Sequence, residues 1–375
     1  MTLRVLISTG EASGDSVGAE LLKEMRRQGF NGEFFAVGGR KLEAAGAHLI
    51  GDSSTWGALG VYQALKMAPK LLIGAWEVSK WLESNTPDLV IAIDFGYMNV
   101  RLCRKAKKLG CRVLYFMPPG SWRRDRQGTD LARVADSIAT PFSWSADMLR
   151  KAGANVEWVG HQVLQMAGEA PEGERDVLAI LPGSRKHEIE LNLPVFARAV
   201  ALLGEMAAKP VIVAAPNADS DMLGRLWNRH CPMKAEVSRA GPYGTLKRSR
   251  AAIICSGTAT LEAAVCRTPM VAAYVLDPLM ILEAKLIRLK VDFIALPNIL
   301  LERRAVPELY HPNASSETIA TETSKLLRDS TERQAQLDDF EEIVRMLGPN
   351  DAITRTAKMA LELIQPHRRE FRPHI

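Results

Sequence analysis

Two short apolar runs decide most of what this chain can fold into. Asp88-Leu89-Val90-Ile91-Ala92-Ile93-Asp94 and Val177-Leu178-Ala179-Ile180-Leu181 are nearly continuous in aliphatic side chains. Each therefore reads as a strand buried on both faces, which belongs in a parallel sheet covered by helices. Both runs give way to a helical period, through Asp94 to residues 97–109 and through Pro182-Gly183-Ser184-Arg185 to residue 203. Shorter apolar runs at 4–8, 34–37, 112–117, 137–141 and 156–161 precede the linker, and others at 210–215, 235–238, 251–255 and 270–274 follow it. Strands alternating with helices in this way predict βαβ units and an α/β fold.

A chain of 375 residues exceeds one comfortable core, so two such domains are expected. Residues 166–175, rich in Gly, Glu and Pro, read as the linker. The expected division is 1–165, 166–350, and 351–375 as a last helix to residue 364 with a basic tail from His367. The hydrophobic content of 47% and charged content of 24% are ordinary for a globular protein. A net charge of +5, with no Lys/Arg stripe interleaved with aromatics, favours anionic ligands and argues against nucleic acid. Five scattered cysteines, odd in number and without Cys-x-x-Cys spacing, argue for a reducing compartment and against a zinc site. The first apolar run is too short for a signal peptide and no later one matches a membrane span, so a cytoplasmic location is expected.

Four loops carry candidate chemistry. At Gly183-Ser184-Arg185 the free N–H groups of a helix start, the helix dipole and a guanidinium converge, which suits a diphosphate, although an ordinary βα turn with a surface arginine fits equally well. Thr9-Gly10-Glu11-Ala12-Ser13-Gly14-Asp15-Ser16 reads as a loop ahead of a helix from Val17, with neither the lysine of a Walker loop nor dinucleotide spacing. Asp94 ends the clearest strand, where it is either an active-site carboxylate or a helix cap. Ser256-Gly257-Thr258 opens a helix that either binds phosphate or is simply capped, and Glu262 one turn on could accept from ribose. Beyond these, residues 118–127, rich in Pro and Arg, are expected to be mobile and to order on ligand binding. Residues 56–81 are apolar, aromatic and dotted with lysines, reading as a core helix pair or as a surface that meets lipid.

Gly10-Glu11-Ala12-Ser13-Gly14-Asp15, Ile93-Asp94, Gly160-His161, Leu181-Pro182-Gly183-Ser184-Arg185 with Glu188 and Glu190, the stretch Ser256 to Glu262, Pro269-Met270-Val271, and Leu296-Pro297-Asn298-Ile299-Leu300 with Glu308 occur in that order across nearly the whole chain. Together they resemble the lipid-A-disaccharide synthases. The resemblance implies a GT-B architecture: two Rossmann-like parallel-sheet domains facing across a cleft, with a C-terminal helix crossing back to the first. It implies inverting transfer of 2,3-diacylglucosamine from its UDP donor to 2,3-diacylglucosamine 1-phosphate, with no cofactor, no metal and peripheral membrane association. The apolar segment from Trp56 to Trp81 and the basic tail add the expectation that the membrane is anionic. A homodimer is left open. Asp94 matches the family's proposed base, and Arg185, Ser256, Gly257, Thr258, Glu262, Asn298 and Glu308 match positions for the UDP part. Gly10, Glu11, Ser13, Gly14, Asp15, Asn99, Trp122, His161, Gly183 and Ser184 complete the candidate substrate-binding set. Departures lie on the acceptor side: Phe95-Gly96-Tyr97-Met98-Asn99 keeps only the asparagine of the family's Ala-Pro-Asp-Phe-Asn. The loop Met117-Pro118-Pro119-Gly120-Ser121-Trp122-Arg123-Arg124, together with Gln63 and Gln162, also differs. A paralogue with another acceptor, a UDP-N-acetylglucosamine 2-epimerase-like enzyme and a non-catalytic UDP-sugar or lipid binder therefore stand beside the main reading.

Overall fold

A computed structural model describes residues 2–53, 61–128, 130–207, 209–216, 218–276, 281, 292–310 and 313–365, with the backbone alone described at 61–70 and at Tyr97. The chain divides into two compact units: Met1–Gly57, Leu65–Gln162 and Asp351–Ile375 form the first, and Ala58–Ala64 with Val163–Asn350 the second.

The first unit alternates β1 (Arg4–Ser8), α1 (Ala12–Arg27), β2 (Glu33–Gly38), α2 (Arg40–Ala44), β3 (His48–Asp52), α3 (Val61–Asn85), β4 (Leu89–Ile93), α4 (Gly96–Lys108), β5 (Arg112–Phe116), α5 (Leu131–Val134), β6 (Ser137–Thr140), α6 (Ser143–Lys151) and β7 (Val156–Trp158). Its seven strands lie in the order β3-β2-β1-β4-β5-β6-β7 and pair in parallel, Val5 opposite Leu89 and Leu89 opposite Arg112. All five residues of β4 are fully buried, as a strand with helices on both faces requires. Leu6, Val90, Val113, Tyr115 and Leu82 form the core on one side of this sheet.

The second unit follows α7 (Gln162–Gly168) with β8 (Val177–Leu181), α8 (Lys186–Leu203), β9 (Lys209–Val213), α9 (Ser220–Asn228), β10 (Glu236–Ser238), α10 (Pro242–Lys247), β11 (Ser249–Cys255), α11 (Thr258–Val265), β12 (Met270–Tyr274), α12 (Leu296–Leu301), β13 (Glu308–Tyr310), α13 (Ser316–Leu327) and α14 (Thr331–Leu347). Its six strands run β10-β9-β8-β11-β12-β13, again all parallel. Leu178, Ile180, Phe196, Val200 and Trp227 are buried in its core. Burying each such side chain is worth about 1.5–3 kcal/mol. The last helix, α15 (Ala352–Ile364), belongs to the first unit. It buries Ile353, Ala357 and Ala360, and the Gln28 amide donates to the Thr354 carbonyl at 3.0 Å.

The structure departs from the sequence expectation at several places. Helix α1 begins at Ala12 rather than Val17, so Ser13, Gly14 and Asp15 form its first turn instead of a loop. A single helix, α3, stands where a helix pair was expected, while Trp56 to Gly60 lie outside the described residues. The stretch taken as a linker starts within α7 and is tied down: Lys247 donates to the Ala170 carbonyl at 2.7 Å and pairs with Glu172 at 2.8 Å, and Arg175 donates to the Cys266 and Ser249 carbonyls. Within residues 118–127, Trp144 donates to the Ser121 carbonyl, Gln127 to the Pro119 carbonyl, and Arg124 lies over the Trp144 ring. Strands β3 and β13 were not anticipated, and the basic tail from His367 lies outside the described residues.

Candidate functional site

In the first unit the C-terminal ends of β1 and β4 lie side by side at the edge where open α/β sheets bind ligands. Asp94 and Phe95 both adopt left-handed backbone, at φ 47° and 52°. Two consecutive non-glycine residues in that region are strained, and such strain persists only where neighbours over-determine it. Here the neighbours are Asn99 and Tyr115. The Asn99 amide donates to the carbonyls of Ser8, Ile93 and Asp94 at 3.0–3.1 Å, its oxygen accepts from the Ser8 hydroxyl at 2.7 Å, and the Tyr115 hydroxyl donates to the Asp94 carbonyl at 2.8 Å. The turn also explains Gly10, since a Cβ there would sit 1.9 Å from the Phe95 ring.

The backbone is thus clamped while the Asp94 side chain stays exposed at the edge. Desolvation by the protein packed around the carboxyl nevertheless raises its pKa to about 6, with a hydrogen bond to the Phe95 backbone opposing the rise and the Glu11 carboxylate adding to it. Water at the exposed side chain screens part of that rise. A carboxylate poised slightly below neutral pH suits proton abstraction.

The other first-unit candidates divide. Glu11 is the residue ahead of α1 and Ser13 is exposed beside it. Asp15, by contrast, is buried and accepts from the Gly39, Lys41 and Leu42 amides at 2.7–3.3 Å, capping α2. Gly14 is buried in the same turn. His161 is buried against the Phe142 ring, and burial lowers its pKa to about 3, so the imidazole is neutral. Trp122 is exposed, with the Arg123 guanidinium over its ring.

In the second unit, Gly183 (φ 123°) and Ser184 lead from β8 to Arg185, the residue capping α8. The Glu188 carboxylate accepts from the Ser184 and Arg185 amides at 3.1 and 3.2 Å and from the Arg185 guanidinium at 2.6 Å. A resident carboxylate thus occupies donors of the kind that anions take at helix starts. Gly183 is tight for the same reason, because a Cβ would lie 2.8 Å from that of Glu188. On the adjoining strand, β11 leads through Ser256 to Gly257, the residue capping α11. The Ser256 hydroxyl is buried and has no hydrogen-bond partner among the described residues. Thr258 and Glu262 follow on α11, where Glu262 is hydrogen-bonded to Tyr243. Asn298 and Glu308 are drawn together at 2.8 Å, but Glu308 also accepts from the Ile294 and Ala295 amides ahead of α12, and Asn298 accepts from the Ala305 and Val306 amides.

Sequence reasoning missed Asn192. It is fully buried on α8, where its amide donates to the Pro182 carbonyl at 3.1 Å and to Cys255 Sγ at 3.3 Å, while its oxygen accepts from the Val275 amide at 2.9 Å. It thereby fixes the ends of β8, β11 and β12 against one another, as Asn99 does for β1 and β4. The available signal was a lone asparagine between Leu191 and Leu193 on an apolar helix face.

Two all-parallel Rossmann-like units, each with its polar turns at strand C-termini, make a GT-B fold. Among solved structures of that architecture, the MurG of Acinetobacter baumannii matches with TM-score 0.55 at 15% identity, over 96% of this chain and all of that one. A UDP-GlcNAc 2-epimerase of Methanocaldococcus jannaschii, solved with UDP-GlcNAc and UDP, matches with TM-score 0.59 at 12% identity, over 96% and 100%. The chain belongs to the lipid-A-disaccharide synthase family: the family model described as lipid-A-disaccharide synthetase matches residues 5–362. The lipid-A-disaccharide synthase of Syntrophus aciditrophicus is 32% identical to it, over 96% of this chain and 98% of that protein. The chain is therefore a glycosyltransferase.

Proposed function

We propose that the protein transfers a 2,3-diacylglucosamine unit from UDP-2,3-diacylglucosamine to 2,3-diacylglucosamine 1-phosphate, releasing UDP with inversion at the anomeric carbon. The observation that carries the reading is family membership over nearly the whole chain, with Asp94 retained in a clamped, exposed pose and its pKa raised toward neutrality. In this reading the first unit holds the acceptor and the second holds the donor. Asp94 takes the proton of the attacking hydroxyl as the bond to the diphosphate oxygen breaks. The Ser184 and Arg185 amides, the Arg185 guanidinium, and Ser256 with the start of α11 receive the charge that develops on the leaving group. Glu262, Asn298 and Glu308 serve the nucleoside side, the latter two by shaping the turn ahead of α12.

The reading also places the enzyme at the inner face of a cytoplasmic membrane. Its support is the outer face of α3, where Leu72, Ile73 and Trp76 are each more than half exposed and Lys80 lies 5.3 Å from the Trp76 ring centre. No described helix is long and apolar enough to cross a membrane. The test is to incubate the protein with UDP-2,3-diacylglucosamine, with and without the acceptor phosphate, and to follow UDP and sugar products by mass spectrometry. An acceptor-dependent disaccharide phosphate is expected. UDP release or epimerised sugar without acceptor would overturn the transferase reading.

A further inference from the structure

Between α3 and α4, within the first unit, lies a cavity of about 310 Å³ that none of the site residues above explains. Leu72, Ala75 and Val78 line it from α3, and Phe95, Met98 and Leu102 from the start and first turns of α4. Its inner end is Ser8 and Asn99, the pair that clamps the Asp94 turn. Its outer end is Leu72, which is 66% exposed on the same face of α3 as Ile73 and Trp76. The cavity therefore runs from the greasy outer surface toward the backbone that carries the proposed base. Its volume is at the lower end for ligand pockets.

Its chemistry narrows the occupant. The polar side chains that reach it are already engaged: the Ser8 hydroxyl donates to Asn99, the Asn99 amide is spent on three carbonyls, Lys105 is held by the Ser79 hydroxyl and by Glu83 at 2.6 Å, and Arg101, also in the lining, is an exposed residue with a partner of its own. A water needs two to four polar partners to settle in such a space, and an empty apolar cavity forfeits packing energy. The occupant that fits is a chain without hydrogen-bonding groups that arrives from the lipid side. We infer that this cavity receives one fatty-acyl chain of the acceptor and so draws the sugar to Asp94. The inference rests on the reading of the enzyme as a transferase with an acylated acceptor, and it adds a subsite that reads chain length.

The experiment is direct binding without donor. Glucosamine 1-phosphate analogues carrying acetyl, hexanoyl or decanoyl chains are titrated calorimetrically into the full-length protein and into two variants that fill the cavity from opposite walls, Ala75→Trp and Leu102→Trp. Wild-type affinity is expected to rise at least tenfold from acetyl to decanoyl, while both variants lose that increment and keep wild-type affinity for UDP. Equal gain with chain length in wild type and in both folded variants would overturn the cavity assignment. If the variants lose the increment but wild type forms no disaccharide from any of these analogues with UDP-2,3-diacylglucosamine, the cavity stands and the transferase reading falls.

Discussion

At the scale of single residues, the Asp94 turn is the most informative feature. Asparagine is among the residues best tolerated in left-handed backbone, so Asp94→Asn should fold. If Asp94 is the base, turnover should drop by about 10²–10⁴-fold while UDP binding persists. Retained activity in that variant would remove Asp94 from its role. The base must be ionised to act, so kcat/KM should fall about tenfold per pH unit below about pH 6 and level off above it. Stability runs the other way. A carboxyl whose folded pKa is raised binds its proton more tightly in the folded state, so stability is lost as pH climbs from about 3.8 through about 6. The asparagine variant should therefore melt no lower than wild type at pH 7, and a lower Tm would count against the raised pKa. Glu188 carries a second prediction: its carboxylate competes for the amides and guanidinium assigned to the diphosphate. Glu188→Gln should tighten UDP binding several-fold, measured by calorimetry, whereas weaker binding would show that the carboxylate holds the loop in its binding shape.

At the scale of elements, buried asparagines on α4 and α8 hold neighbouring strand ends together at the polar edge of each sheet. Asn192→Leu would leave the Val275 amide and the Pro182 carbonyl without their partner, at about 1–3 kcal/mol for each buried group. A loss of about 2–5 kcal/mol in chemical denaturation, with weaker UDP binding, is expected. This scale also shows how far the sequence could be read. Runs of aliphatic residues became β4, β8 and β12 because a strand covered on both faces has no choice of composition. Edge strands β3 and β13 mix Gly, Asp, Glu and Tyr and carry no such signature. The start of α1 was hidden because Ser13, Gly14 and Asp15 look like loop residues when read locally. The cap that Asp15 forms and the clamp that Asn99 forms depend on partners 24 and 91 residues away, which no local reading of the chain shows. Asp94 and the Gly183 and Ser256 turns were legible because strand, turn and helix follow one another directly in the chain.

At the scale of the whole molecule, the first unit is built from both ends of the chain. Helix α15 buries Ile353, Ala357, Met359 and Ala360, a contribution on the order of 5 kcal/mol and comparable with the net stability of a domain. A chain ending at Asn350 should keep the second unit folded and lose protection of the first, read by hydrogen exchange on the β1 and β4 amides. Persistent protection there would show that the first sheet stands without its last helix. The same arrangement sets an order of events during synthesis. Domains fold as the chain emerges, commonly the N-terminal one first. Here the ribosome has delivered all of Val163–Asn350 before the segment that closes the first unit exists. The half that starts the chain is the half that finishes folding, and until its final helix arrives the nascent protein carries an open apolar flank along α1.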